Sequence, residues 1–287
     1  MPRPEGGLRM SGTDHVVLPA AAAALERGEP AALVTIVRST GSTPQRTGAK
    51  MLVYADGRTV GTIGGGCYEN DALGKAREAI ATGMPALIKY DLNDDFVQES
   101  GLICGGQMEV YIDPIAPVPP LYIIGAGHVG WHLARVAADA GFKIHVIDDR
   151  EKFANAERFP SAEAIEVDDI GGWLHRANLP AAAYVVVVTR GHTHDFEAVR
   201  ALAARDLRYL GLIGSRAKVA RIFDALEAEG MPTECLDRVH APIGLDLGAI
   251  TPAEIAVSIL SELIAIRHGK DVSAVSMTWR RGRKSAR

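Results

Sequence analysis

The chain has 287 residues, 47% of them apolar and 23% charged, with 31 basic and 35 acidic side chains and a formal net charge of −4. That much apolar material excludes a disordered chain, and the weakly acidic balance argues against a general nucleic-acid binder. The longest apolar run, residues 181–188, falls far short of the ~20 residues that cross a bilayer, and three scattered cysteines, Cys67, Cys104 and Cys235, form no disulfide framework and suit a reducing cytoplasm.

In chain order, Leu18 to Arg27 reads as a helix and Ala32 to Arg38 as a strand, followed by a Gly-Ser-Thr-Pro turn at 41–44. Lys50–Tyr54 and Arg58–Ile63 read as a hairpin around Asp56-Gly57, a dipeptide favoured in type I′ turns. A glycine run, Gly64-Gly65-Gly66, leads through Cys67 into a helix from Glu69 to Ala81, and Ala86–Tyr90 and Met108–Ile112 add strands. Prolines 114, 117, 119 and 120 lack amide donors and disfavour helix before them. Residues 116–120 are therefore read as a linker between an α+β domain (1–115) and a second domain (121–270).

In the second domain, Tyr122–Ile124, Ile144–Ile147, Ala164–Val167, Tyr184–Thr189 and Tyr209–Ile213 read as strands separated by helices. Short, continuously apolar strands fit a sheet covered on both faces. The alternation implies right-handed crossovers and a doubly wound, Rossmann-like parallel sheet, so the fold class is α/β. The last helix carries Thr251 as N-cap, Pro252 in its first turn and Glu254 completing a capping box. Its buried stripe is Ile255, Ile259, Leu263 and Ile266, and Gly269 ends it. Arg280, Arg281, Arg283, Lys284 and Arg287 leave 26 basic against 35 acidic residues in the rest of the chain; residues 271–287 read as a frayed basic tail.

Chemistry concentrates in glycine loops. Gly125-Ala126-Gly127-His128-Val129-Gly130 follows a strand and opens a helix, with Asp148 at the end of the next strand. This is the dinucleotide fingerprint in its proper setting. Gly125 permits the turn, Gly127 lets a pyrophosphate approach, Gly130 lets helix and sheet close up, and the helix start supplies amides. Asp148 or Asp149 is placed to accept from a ribose hydroxyl, and His128 either caps the helix or donates to a phosphate. The loop suits NAD, and equally another phosphorylated molecule. Two Gly-Cys loops, 61–69 with Gly64, Gly65, Gly66, Cys67 and Glu69, and Cys104-Gly105-Gly106, place thiols beside amides that can cradle an anion. Such thiols suit a soft metal or a persulfide, or are small buried hydrophobes. Arg190-Gly191-His192-Thr193-His194-Asp195 follows the most apolar strand, where helix caps are favoured over a metal site. Ser215 and Arg216 open a later helix at the same sheet edge, as an anion contact or as a plain cap.

Together these segments resemble the xanthine dehydrogenase accessory protein family, also called the XdhC/CoxI family. The matching pieces are GSTPQRTGAKMLV (41–53), GTIGGGCYE (61–69), CGGQMEVYI (104–112), IIGAGHVG (123–130), VIDDR (146–150), FANAERFP (153–160), GLIGSRAK (211–218) and APIGLDLGAITPAEIAVSILSELI (241–264). Ile103 before Cys104, and Arg190-Gly191-His192, depart from the family pattern. The resemblance implies a maturation factor that binds molybdenum cofactor as cargo and delivers it to an apo molybdenum hydroxylase of the xanthine dehydrogenase type. It also implies a link to cofactor sulfuration with a cysteine desulfurase as sulfur source, a homodimer, and Cys67 and Cys104 at the family's Gly-Cys positions. Three other readings are an NAD-dependent oxidoreductase using Gly125–Gly130, a sulfur-transfer enzyme with a cysteine persulfide, and an adaptor that binds no small molecule. The oxidoreductase lacks an acid/base pair tied to a hydride-acceptor site, although His192 could serve.

Overall fold

The computed structural model describes residues 13–91 and 106–278. The chain divides into two compact units between Val118 and Pro119.

The first unit contains α1 (Asp14–Arg27), β1 (Ala31–Gly41), β2 (Lys50–Tyr54), β3 (Thr59–Gly61), α2 (Gly66–Thr82), β4 (Ala86–Asp91) and β5 (Gly106–Ile115). Its strands form one antiparallel sheet in the order β3-β2-β1-β5-β4. Successive side chains of a strand point to opposite faces, so both faces of β2 are buried against different partners. Met51 and Val53 join Val34, Ile36, Val110 and Ile112 beneath α2, which offers Ala72, Ala76 and Ala79. These small residues at helical spacing bring the helix close to the sheet. Leu52 and Tyr54 pack on the other side with Val17 and Ala24 of α1. In β1 the register shifts between Ile36 and Arg38, so Val37 is an extra, exposed residue. Such a bulge bends the strand end.

The β2–β3 turn differs from the expected type I′. That turn needs two central residues with positive φ, and among the described residues only glycines have it. Gly57 alone is left-handed (φ 90°), with its amide donating to Tyr54 O and Tyr54 N donating to Arg58 O. The Asp56 carboxylate holds the turn by accepting from Arg58 N and Nε.

The second unit contains β6 (Pro120–Ile124), α3 (His128–Asp139), β7 (Lys143–Asp148), β8 (Ala162–Val167), α4 (Ile170–Arg176), β9 (Tyr184–Val187), α5 (His192–Leu202), β10 (Tyr209–Leu212), α6 (Arg216–Ala228), α7 (Thr233–Leu236), β11 (Val239–His240) and α8 (Pro252–Arg267). All strand pairs are parallel, in the order β11-β10-β9-β6-β7-β8. This is the doubly wound Rossmann-like order, and the winding reverses between β6 and β9. Ligands of open α/β sheets bind at that reversal, outside the carboxyl ends of the strands. The central strands β6, β9 and β10 are apolar because helices cover both faces, whereas β7 and the edge strand β8 carry charged residues. Ile124, Ile147, Val185, Val187 and Leu212 pack beneath α4, α5 and α6. Leu121, Ile123, Val146 and Val186 pack beneath α3 and α8.

α8 starts as its sequence requires. Thr251 accepts from Glu254 N, the Glu254 carboxylate accepts from Thr251 N, and Pro252 occupies the first turn. The segment after α8 differs from the expected frayed tail up to Thr278. Asp246 N donates to Val275 O, Met277 N donates to Gly244 O, and Ser276 Oγ donates to Glu262. The physical reason is a buried carboxylate that needs donors from this segment. The basic residues from Arg280 onward lie outside the described residues.

Candidate functional site

In the second unit, the three glycines of the fingerprint do different work. Gly125 has φ 116°, and a Cβ there would lie 2.5 Å from Val188 O. A Cβ on Gly130 would lie 2.1 Å from Gly125 O, so only glycine lets α3 sit this close to β6. Gly127 is unlike both. Its φ is −66°, open to any residue, and no atom lies within 4 Å of its Cβ position. Neither packing nor backbone geometry requires glycine at 127.

Helix starts differ in the same way. α4, α6 and α8 are capped by the side chains of Asp169, Ser215 and Thr251. α2, α3 and α5 begin on Gly65, Gly127 and Gly191 with no side-chain cap. First-turn amides without an acceptor favour an anion. His128 and His192 are the exposed first residues of α3 and α5, and neither helix start carries a side-chain cap. Ser215 accepts from Lys218 N and acts as the plain N-cap, with Arg216 exposed beside it.

Asp148 departs from its expected role toward a ribose. It is 1% exposed, and its oxygens accept from Ala126 N (2.7 Å), Arg150 N (3.0 Å), Arg150 Nε (2.8 Å) and Arg150 Nη2 (2.8 Å). An ionised carboxylate has about four acceptor positions, so none is left for an outside hydroxyl. Burial alone would raise its pKa, but the Arg150 guanidinium and the Ala126 amide outweigh burial and hold it below the usual range. Asp149 is also engaged, with Arg190 at 2.7 Å. Asp148 therefore ties the fingerprint loop to the end of β7.

A second carboxylate staples the neighbouring helices. Asp195, 0% exposed in the first turn of α5, accepts from Thr189 Oγ1 (2.7 Å) and pairs with Lys218 of α6. His194 lies 3.6 Å from Glu197, and no group of three or more metal-ligating side chains occurs among the described residues.

In the first unit the Gly-Cys loop is built around Glu69. Its Oε2 accepts from Thr62 Oγ1, Ile63 N (2.9 Å) and Gly65 N (3.1 Å). Burial opposes ionisation, but these donors hold the Glu69 carboxyl below its ordinary pKa. Part of the amide cradle expected for a ligand is thus filled by the chain's own carboxylate. Cys67, in the first turn of α2, is exposed. Gly64 and Gly106 meet the same turn: a Cβ on Gly64 would lie 2.5 Å from Pro44 Cβ, and one on Gly106 would lie 2.8 Å from Ser42 O. The Gly-Ser-Thr-Pro turn thus brings the first Gly-Cys loop and the start of β5 to one end of the sheet. Cys104 and Gly105 lie outside the described residues.

Sequence reasoning missed one buried polar hub. Glu262, 0% exposed in α8, accepts from Tyr209 Oη (2.6 Å), Gly244 N (2.8 Å) and Ser276 Oγ (2.5 Å), with His240 Nδ1 at 3.4 Å. Burial would raise its pKa, yet the partners His240, Ser276 and Tyr209 hold it below the ordinary value. The signal was present: residues 255, 259, 262 and 266 follow helical spacing, so a carboxylate sits on the apolar stripe.

Two family models match the chain, the XdhC Rossmann domain over residues 121–263 and the XdhC and CoxI family over residues 24–91. YqeB of Escherichia coli (strain K12) is 36% identical over 244 residues, 85% of this chain and 44% of YqeB, so this chain spans under half of that relative. A Bacillus subtilis (strain 168) protein, named as a probable subunit of xanthine dehydrogenase, is 26% identical over 89% of this chain and 98% of its own length. PaoD of Escherichia coli (strain K12), named a molybdenum cofactor insertion chaperone, is 24% identical over 88% of this chain and 89% of its own length. With the two matched domains in the same order as the two kinds of glycine loop, the chain belongs to the XdhC and CoxI family.

Proposed function

We propose that the chain is a maturation factor that holds molybdenum cofactor as cargo and delivers it to a xanthine dehydrogenase-type apoenzyme. The observation that carries this reading is Gly127. Glycine is not needed there for the fold, so its missing side chain serves close approach by something outside. The adjoining first turn of α3, without a side-chain cap, suits the cofactor's phosphate. The relatives supply the identity of the cargo, through the names of PaoD and of the Bacillus subtilis protein.

Within the first unit, Gly64, Gly65, Gly66, Cys67 and Gly106 are the proposed contacts, with Cys104 and Gly105 added by the resemblance. The exposed Cys67 thiol suits molybdenum or a transferred sulfur. A cysteine desulfurase as sulfur donor, self-association and a cytoplasmic setting complete the proposal. Handing over intact cargo requires no turnover, so the chain acts as a chaperone rather than a catalyst. The saturated Asp148 speaks against an NAD-dependent oxidoreductase, because the ribose acceptor of that fold is already taken.

The test is activation of a cofactor-free molybdenum hydroxylase, by free cofactor or by cofactor preincubated with the chain, under anaerobic conditions. The preloaded chain is expected to raise recovered activity several-fold, and Gly127→Val to abolish the gain. Equal activation with and without the chain would refute delivery.

A further inference from the structure

The opposite edge of the second unit's sheet holds a basic cavity that the glycine loops do not use. It measures about 270 Å³ and lies at the amino ends of β10 and β11, with Arg205, Arg208, Tyr209, Asp237, Arg238 and His240 in its wall. Among the described residues, none of the three arginines pairs with a carboxylate; their contacts go to backbone carbonyls. Arg205 donates to Leu174 O, Ala177 O and Ala201 O, and so ties the ends of α4 and α5 together. Arg208 reaches only Ile266 O, at 3.4 Å, and Arg238 contacts Arg205 O. Both are exposed and have guanidinium donors to spare. His240 is fixed between the Tyr209 ring, stacked at 4.5 Å, and the buried Glu262 carboxylate.

Three guanidiniums face the carboxylate of Asp237, with the ionised Glu262 behind Tyr209 and His240, so the concave wall keeps a net positive charge. A concave surface with an excess of one sign of charge raises the local concentration of counter-ions. The planar forks of arginine match phosphate oxygens in pairs. We propose that this cavity binds the phosphate group of a small molecule, at a site separate from the fingerprint loop and independent of the cargo reading.

The experiment is calorimetric titration of the full chain at constant ionic strength, with inorganic phosphate and with glycerol 3-phosphate. All titrations use a Gly127→Val background, so that phosphate at the fingerprint loop does not contribute. Saturable binding is expected, weakened about tenfold or more in Arg208→Ala/Arg238→Ala, where charge-assisted hydrogen bonds are lost. Arg208→Lys/Arg238→Lys keeps the charge without the fork and is expected to fall between the two; it also stands in if the alanine pair unfolds. Thermal unfolding without anion checks that each variant folds. Binding of the ester assigns the site to a phosphomonoester, and binding of inorganic phosphate alone assigns it to the free anion. No saturable binding, or binding unchanged in both arginine variants, would overturn the proposal.

Discussion

Replacing Glu262 by alanine is expected to cost about 3–5 kcal/mol, the cost typical of breaking a buried charged cluster by removing one partner. For a unit of this size that lowers the unfolding midpoint by roughly 6–20 °C. The loss is large because the side chain is the shared acceptor for β10, β11, the loop at Gly244 and the segment around Ser276. Alanine leaves the Tyr209 hydroxyl and the Gly244 amide buried without an acceptor, and each orphaned group costs about 1–3 kcal/mol. Glu262→Gln is expected to cost much less. Its amide oxygen still accepts from Tyr209 and Gly244, and its NH2 group can donate to Ser276 Oγ.

The pair of variants also fixes a sign for pH. The folded pKa of Glu262 is depressed. Its contribution is therefore complete above the unfolded glutamate value of about 4.3 and is lost as pH falls through the depressed folded value. Wild type should lose this increment on acidification while Glu262→Gln, which cannot titrate, lacks it. Circular dichroism melts of the three proteins from neutral pH into the acid range measure both effects. A midpoint for Glu262→Ala within a degree or two of wild type would remove Glu262 from its place as the hub.

The second large effect separates two glycines three residues apart. Gly130→Ala places a methyl group 2.1 Å from Gly125 O and 3.2 Å from Ile123 Cγ2. α3 must then move off β6, and overpacking of this kind costs about 1–3 kcal/mol or more. Gly127→Ala meets nothing and keeps an ordinary backbone conformation, so its cost stays within roughly 0.5 kcal/mol. Urea unfolding of both variants gives the comparison. If Gly127→Ala proved as destabilising as Gly130→Ala, glycine at 127 would be a demand of the fold, and the case for close approach by a ligand would lapse.

Much of this architecture could be read from residue order. The alternation of apolar runs with helical patterns gave a parallel sheet because strands covered on both faces have no polar positions, as in Tyr184–Val187. The capping box at Thr251 and Glu254 was legible because its donors and acceptors are three residues apart in sequence. Boundaries moved where context overrode local preference. α1 begins at Asp14 rather than Leu18, with Pro19 inside it, because Val17 is buried against the sheet. β1 runs on to Gly41 because β5 pairs with it along its whole length.

The candidate loops were found by their glycines, but their internal wiring was not. Glu69 and Asp148 each sit beside a glycine loop in sequence or at a family position, and both invite a ligand contact. Folding instead turns each carboxylate onto the loop's own amides. Such contacts depend on side-chain direction, which periodicity does not encode. The partners of Glu262 were hidden for a related reason: Tyr209 lies 53 residues from it in sequence, and only the packing of α8 on the sheet brings them together.

The most direct measurement is cargo stoichiometry on protein purified without oxygen. The chain would be incubated with molybdenum cofactor and passed through gel filtration, and molybdenum and oxidised pterin would be quantified per chain, with NAD binding tested in parallel. Near-stoichiometric metal and pterin, lost in Gly127→Val while Gly127→Ala still folds, is the predicted result. Saturable NAD binding without retained pterin would contradict the cargo reading and return the fingerprint loop to dinucleotide chemistry.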